Sequence, residues 1–152
     1  MKLSFVLNGR PETVEIDPAQ PLLDTLRACG VHSVRSGCDT GNCGICTVWV
    51  DETPVLSCSY PAARAAGKQV TTVEGVRAEA EALMDALASE GADQCGFCSP
   101  GFIMCALAML RELENPTEDE IRAYLAGNLC RCSGYASQLR ALQHVYEMRA
   151  AK

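Results

Sequence analysis

The placement of the cysteines constrains this chain more than any other feature. Ten occur in 152 residues, and eight fall into two groups: Cys38, Cys43, Cys46 and Cys58, then Cys95, Cys98, Cys130 and Cys132. Met1 runs almost directly into a strand-like pattern with no cationic and apolar leader, so a cytoplasmic, reducing setting is expected rather than a disulfide framework. Close-set thiols in such a setting hold metal or carry out redox chemistry. The formal charge of −6, with 13 scattered Lys and Arg, argues against a nucleic-acid partner. No stretch approaches the roughly 18 to 20 apolar residues that span a bilayer, so no membrane insertion is expected.

Hydrophobic periodicity divides the chain into an α+β first half and a helical second half. Leu3, Phe5 and Leu7 alternate, Asn8-Gly9 is a strong hairpin turn, and Val14 and Ile16 continue on a return strand. Pro21 opens a short helix with Leu22, Leu23 and Leu26 on one face, and Gly30 closes it. Strands are predicted over Thr47 to Val50, Val55 to Leu56 and Val70 to Val73. From about residue 76, Ala, Leu and Met recur at helical spacing. Helices are predicted over 77–90, then from Ser99 as N-cap with Pro100 in the first helical position to about 113. A third starts at the Thr117–Glu120 capping-box pattern and stops at Gly127-Asn128, and a fourth carries Leu139, Leu142, Val145 and Tyr146 on its apolar stripe. The expected domains are 1–75 and 76–152, packed together because the boundary between them is only a few residues wide.

The first cysteine group reads C-x4-C-x2-C-x11-C, the plant-type ferredoxin spacing. A 2Fe-2S core needs four thiolates, and one short loop delivers three only if its backbone curls around the core with amide N–H groups turned to the sulfurs. Gly37, Gly41 and Gly44 permit that curl. Zinc sites more often use paired C-x2-C knuckles. The second group, C-x2-C-x31-C-x-C, puts Cys95 and Cys98 ahead of one helix and Cys130 and Cys132 after another. A metal core clamped between helical hairpins would fit, and on spacing alone so would a structural zinc.

Three strings, Ser36 to Val48 (SGCDTGNCGICTV), Gln94 to Gly101 (QCGFCSPG) and Gly127 to Tyr135 (GNLCRCSGY), resemble the iron-sulfur subunits of the xanthine dehydrogenase, aldehyde oxidase and carbon monoxide dehydrogenase family of molybdenum hydroxylases. The resemblance spans nearly the whole chain. It implies a plant-type ferredoxin-like β-grasp domain followed by a four-helix bundle, and two 2Fe-2S clusters. By the same resemblance Cys38, Cys43, Cys46 and Cys58 hold the outer cluster, and Cys95, Cys98, Cys130 and Cys132 the inner one. Gln94 and the backbone at Cys132 are implied to contact a molybdopterin, in a dinucleotide form, held by a large partner subunit. FAD in a medium partner subunit is the implied acceptor. The chain itself shows no nucleotide-binding turn, nucleophile–base pair or molybdenum site, so its implied role in the oxidoreductase is electron relay. The alternative is a stand-alone ferredoxin-like protein with structural zinc in its helical half.

Small departures from the family pattern remove no ligand: Ile45 stands for the usual Ala, Ser99 and Ser133 for Thr, and Arg35 for a common Lys. Ile45 is expected to change the shielding of the outer cluster. Cys29 and Cys105 are expected to be buried thiols, Phe102, Met104 and Met109 core, His32 and His144 surface or packing residues, and Glu112 to Glu120 a solvated helix end. With two oxidised clusters and their thiolates the formal charge would reach about −10, which backbone N–H groups must offset.

Overall fold

The computed structural model describes residues 1–151. Strands β1 (Lys2–Leu7) and β2 (Arg10–Glu15) form the predicted hairpin, with Lys2 opposite Glu15 and Leu7 opposite Arg10. Asn8 and Gly9 turn the chain at φ 50° and 80°, the doubly positive geometry whose twist matches a right-handed hairpin. Alternation buries Leu3, Phe5 and Leu7 on one face, and α1 (Leu22–Ala28) covers it with Leu22, Leu23 and Leu26. Gly30, at φ 86°, lies just past the end of α1.

Three further strands complete one sheet in the order β2-β1-β5-β3-β4: β3 (Thr47–Val50), β4 (Thr53–Leu56) and β5 (Gln69–Thr71). β5 runs parallel to β1 and antiparallel to β3. It is shorter than the strand predicted over Val70 to Val73, because Val73 already belongs to a 3-10 turn, Val73–Val76, that leads into the helices.

Helices follow at α2 (Arg77–Ser89), α3 (Ser99–Glu112), α4 (Glu118–Leu125) and α5 (Ala136–Ala150). Alternation along β3 joins the two halves. Val48 and Val50 enter the core under α1, whereas Trp49 points the other way into the helical core. There it meets α3, which is apolar nearly all round and is buried between the sheet and α4. α2 packs against α5. Phe102, Met104 and Met109 are core, as predicted, and His32 and His144 are exposed. Cys29 and Cys105 are half-buried rather than fully buried.

The capping box forms as predicted: Glu120 N–H donates to Thr117 Oγ1 at 3.3 Å, and Thr117 N–H donates to the Glu120 carboxylate at 2.7 Å. The predicted Ser99 cap does not. Ser99 Oγ instead donates to Asp93 Oδ1 at 2.9 Å, so Cys98 takes the cap position and Ser99 the first turn. Among the described residues no helix is long and apolar enough to cross a membrane.

Candidate metal centres between the sheet and the helices

Between α1 and β3 the chain runs as an irregular loop, residues 31–46, and the helical half meets it with two turns of its own, 92–98 and 126–135. A cleft of about 560 Å³ opens where they converge, lined by Cys38, Cys43, Cys95, Cys98, Cys130 and Cys132. The structure gathers all eight grouped cysteines into pairs. Cys38 and Cys43, Cys46 and Cys58, and Cys98 and Cys130 are neighbours near enough for each pair to shift its own thiol titration. Cys132 and Cys95 stand with their sulfurs 3.6 Å apart. Among the described residues no three or more His, Cys, Asp or Glu side chains lie close enough to share a single metal ion.

Local backbone geometry explains how a short loop presents its thiols. Gly41 and Gly44 take φ 69° and 71°, and Gly37 is pressed so closely against Ile45 that a Cβ there would collide with its side chain. The curl aims amides at sulfur: N–H groups of Asn42 and Thr40 hold the Cys38 thiol down at about 6. Burial pushes Cys46 up to about 11 and Cys98 up to about 12. At Cys130 burial acts in the same upward sense, but the Ser133 hydroxyl and the N–H groups of Ser133 and Cys132 outweigh it and lower the thiol. Those two N–H groups lie 3.4 Å from the Cys130 sulfur.

Gln94 is placed beside Cys132, its side-chain N–H donating to the Cys132 carbonyl at 3.3 Å. Three site features escaped sequence reasoning. Arg35 reaches out of the first loop to donate to the Gly96 carbonyl and lies 5.3 Å from the centre of the Phe97 ring, tying that loop to the C-x2-C turn. Tyr135 sits in the left-handed region at φ 69°, and its hydroxyl accepts from the Cys130 N–H at 2.9 Å. Asn128, expected only to end a helix, is buried and donates to the Gly44 carbonyl at 3.2 Å. Position beside a cysteine motif was the one available signal for each.

Residues 5–72 match the family described as a 2Fe-2S iron-sulfur cluster binding domain, and residues 72–143 match a second 2Fe-2S binding domain family. The two matches thus define a two-centre iron-sulfur protein, and the match over 72–143 assigns the helical half to 2Fe-2S rather than to zinc. The xanthine dehydrogenase iron-sulfur-binding subunit of Escherichia coli is 49% identical over 137 residues, covering 88% of this chain and 86% of its own length. The nicotinate dehydrogenase small FeS subunit of Eubacterium barkeri is 39% identical over 148 residues, with 95% of this chain and 94% of its own length covered. A chain of quinoline 2-oxidoreductase from Pseudomonas putida superposes with a TM-score of 0.90 at 37% identity, covering 99% of this chain and 95% of that one. The chain belongs to the iron-sulfur subunit family of the xanthine dehydrogenase and aldehyde oxidase type of molybdenum hydroxylase, and its work is electron transfer through 2Fe-2S clusters.

Proposed function

We propose that Cys38, Cys43, Cys46 and Cys58 hold the outer cluster and that Cys95, Cys98, Cys130 and Cys132 hold the inner one. The carrying observation is the pairing of the thiols. A 2Fe-2S core takes two thiolates on each iron, and both cysteine sets fall into two neighbouring pairs, with the Cys95 and Cys132 sulfurs 3.6 Å apart. When bound, each core takes up or gives back one electron at a time. The chain supplies the rest: amide donors at Cys38 and Cys130 offset anionic charge, and burial of Cys43 and Cys46 keeps water from the outer set.

The inner set opens outward, since Cys95 and Cys132 are exposed beside Phe97, Leu129 and Tyr135, large apolar side chains that remain 41–47% exposed. We infer that this rim meets a large molybdopterin-binding subunit. Gln94 there holds the Cys132 carbonyl in place and presents its own amide toward the pterin, in a dinucleotide form. A medium FAD-binding subunit takes electrons from the outer set. Division into 1–75 and 76–152, with a β-grasp sheet in the first and a four-helix bundle of α2 to α5 in the second, is supported by the two separate cores, which Trp49 bridges. Ten free thiols fit a reducing, cytoplasmic setting.

Anaerobic chain should contain about four irons and four acid-labile sulfides. Cys43→Ser and Cys130→Ser should each remove about half the iron, erasing a different paramagnetic signal in the reduced protein. Full iron in either variant defeats the assignment of its set.

A further inference from the structure

Helix α5 carries a polar residue where its pattern calls for an apolar one. Gln138, Ala141, Leu142 and Val145 form its buried stripe at helical spacing, and Gln138 is 5% exposed. Burying a carboxamide is costly unless its polar atoms find partners, so its place on that stripe needs a chemical reason. Among the described residues its one hydrogen-bond partner is the Ser133 hydroxyl, 3.3 Å from the carboxamide oxygen.

Ser133 is itself placed against the inner thiols. Its N–H lies 3.4 Å from the Cys130 sulfur, and its hydroxyl oxygen accepts the Tyr135 N–H at 3.1 Å. That hydroxyl is also near enough to the Cys130 sulfur to lower the thiol. Gln138 lines one narrow crevice together with Cys98 and Cys130. Ser133 Oγ thus stands among three groups and holds a single proton.

Resting on the assignment of Cys130 to the inner set, we propose that Gln138 is a positioning residue for that centre, turning the Ser133 hydroxyl proton onto the Cys130 sulfur. A ligating cysteine is a thiolate, which only accepts, and a hydroxyl bonds more strongly to an anionic acceptor than to a neutral amide oxygen. The proton therefore goes to sulfur. Two oxygens would then face each other with lone pairs alone, so the Gln138 carboxamide takes the other of its two orientations, nearly equal in shape, and donates from Nε2 to Ser133 Oγ. With the Tyr135 N–H and Gln138 Nε2 both donating to it, Ser133 Oγ has only the sulfur left to take its own proton. Reduction adds one electron and one negative charge at the centre. A donor fixed on a ligand sulfur stabilises that charge, so Gln138 and Ser133 together raise the inner potential.

The test is a redox titration of the full anaerobic chain followed by paramagnetic resonance, with proton hyperfine spectra recorded before and after exchange into D2O. The wild type should show an exchangeable proton coupled to the inner centre that Ser133→Ala removes and Ser133→Thr keeps. Gln138→Met, of similar volume, should lower the ratio of reduced to oxidised inner centre at a fixed potential about fivefold, the effect of one net hydrogen bond, and leave the outer centre unmoved. Ser133→Ala should do the same. The double variant should fall no further than Ser133→Ala alone, because Gln138 acts through the hydroxyl. Losses that add in the double variant, or an unchanged inner potential in Gln138→Met at full iron, would overturn the proposal and leave Gln138 a packing residue. Should Gln138→Met fail to load iron, Gln138→Leu is read in the same way, and hyperfine spectra identical in the wild type and Ser133→Ala overturn the proposal by themselves. Full iron in Cys130→Ser instead removes the cysteine assignment beneath it.

Discussion

The indole N–H of Trp49 on β3 donates to the backbone carbonyl of Met104 on α3 at 2.9 Å, so a strand residue is pinned inside the helical core. Arg111 closes over it, with its guanidinium 4.1 Å from the centre of the ring and both outer nitrogens engaged with Glu79 or Glu52. This bond couples the folding of the two halves. Trp49→Phe is expected to cost roughly 2 kcal/mol through lost volume and the lost hydrogen bond. Thermal unfolding should remain one transition at a lower midpoint, followed equally by sheet and helix signals. Two separated transitions in the wild type would show that the halves unfold independently.

Thiol chemistry gives a second expectation, for iron-free protein. Cys38 is held down at about 6 by amides of Asn42 and Thr40, whereas burial raises Cys46 to about 11 and Cys98 to about 12. The thiolate is the nucleophile, so Cys38 should be alkylated first near neutral pH, at a rate that levels off above its lowered value, while Cys46 and Cys98 stay slow. Stability follows the same signs. The contribution of Cys38, whose folded value is depressed, is complete above the ordinary thiol value and is lost as pH falls through about 6. Raised values at Cys46 and Cys98 mean that protons must leave when metal binds, so loading strengthens with pH. Peptide mapping after timed iodoacetamide treatment checks the order; equal labelling of the three would contradict it.

Much of this was legible because the signals are local. Asn8-Gly9 fixes a turn through two residues that tolerate positive φ, and Thr117 with Glu120 forms a cap across one helical turn. Cysteine grouping is equally local. What stayed hidden depends on residues distant in sequence. Asp93, from the turn before α3, took the Ser99 hydroxyl that would have capped the helix, and β5 stops at Thr71, the last residue paired across to Trp49 on β3. The contact between Cys95 and Cys132, or between Asn128 and Gly44 across 84 positions, exists only after both halves have folded.

Arg35 offers a third test, because it crosses from the first loop to the second C-x2-C turn. Its guanidinium donates to the Gly96 carbonyl and stacks over Phe97. Arg35→Ala should loosen residues 94–98 by about 1 kcal/mol, read as roughly fivefold faster amide exchange of that segment. Arg35→Lys keeps the charge but not the planar stack, and should fall between the two. Unchanged exchange in Arg35→Ala would mean that the turn is held by its own geometry, with Gly96 at φ 68°.

Ile45 is the apolar residue of the first cysteine loop that bears most directly on redox behaviour. Its side chain packs against Gly37 and lines the cleft beside Cys43. Truncation to Ala opens that contact to water without touching the Ile45 carbonyl that abuts α3. Reduction adds one negative charge to a centre that is already anionic, and a more polar surrounding favours the more highly charged state. Ile45→Ala should therefore raise the potential of the outer centre, on the order of tens of millivolts, and leave the inner one where it was. A redox titration followed by paramagnetic resonance resolves the two centres in one sample. An outer potential identical to wild type, at full iron content, would show that shielding by Ile45 has no part in setting it.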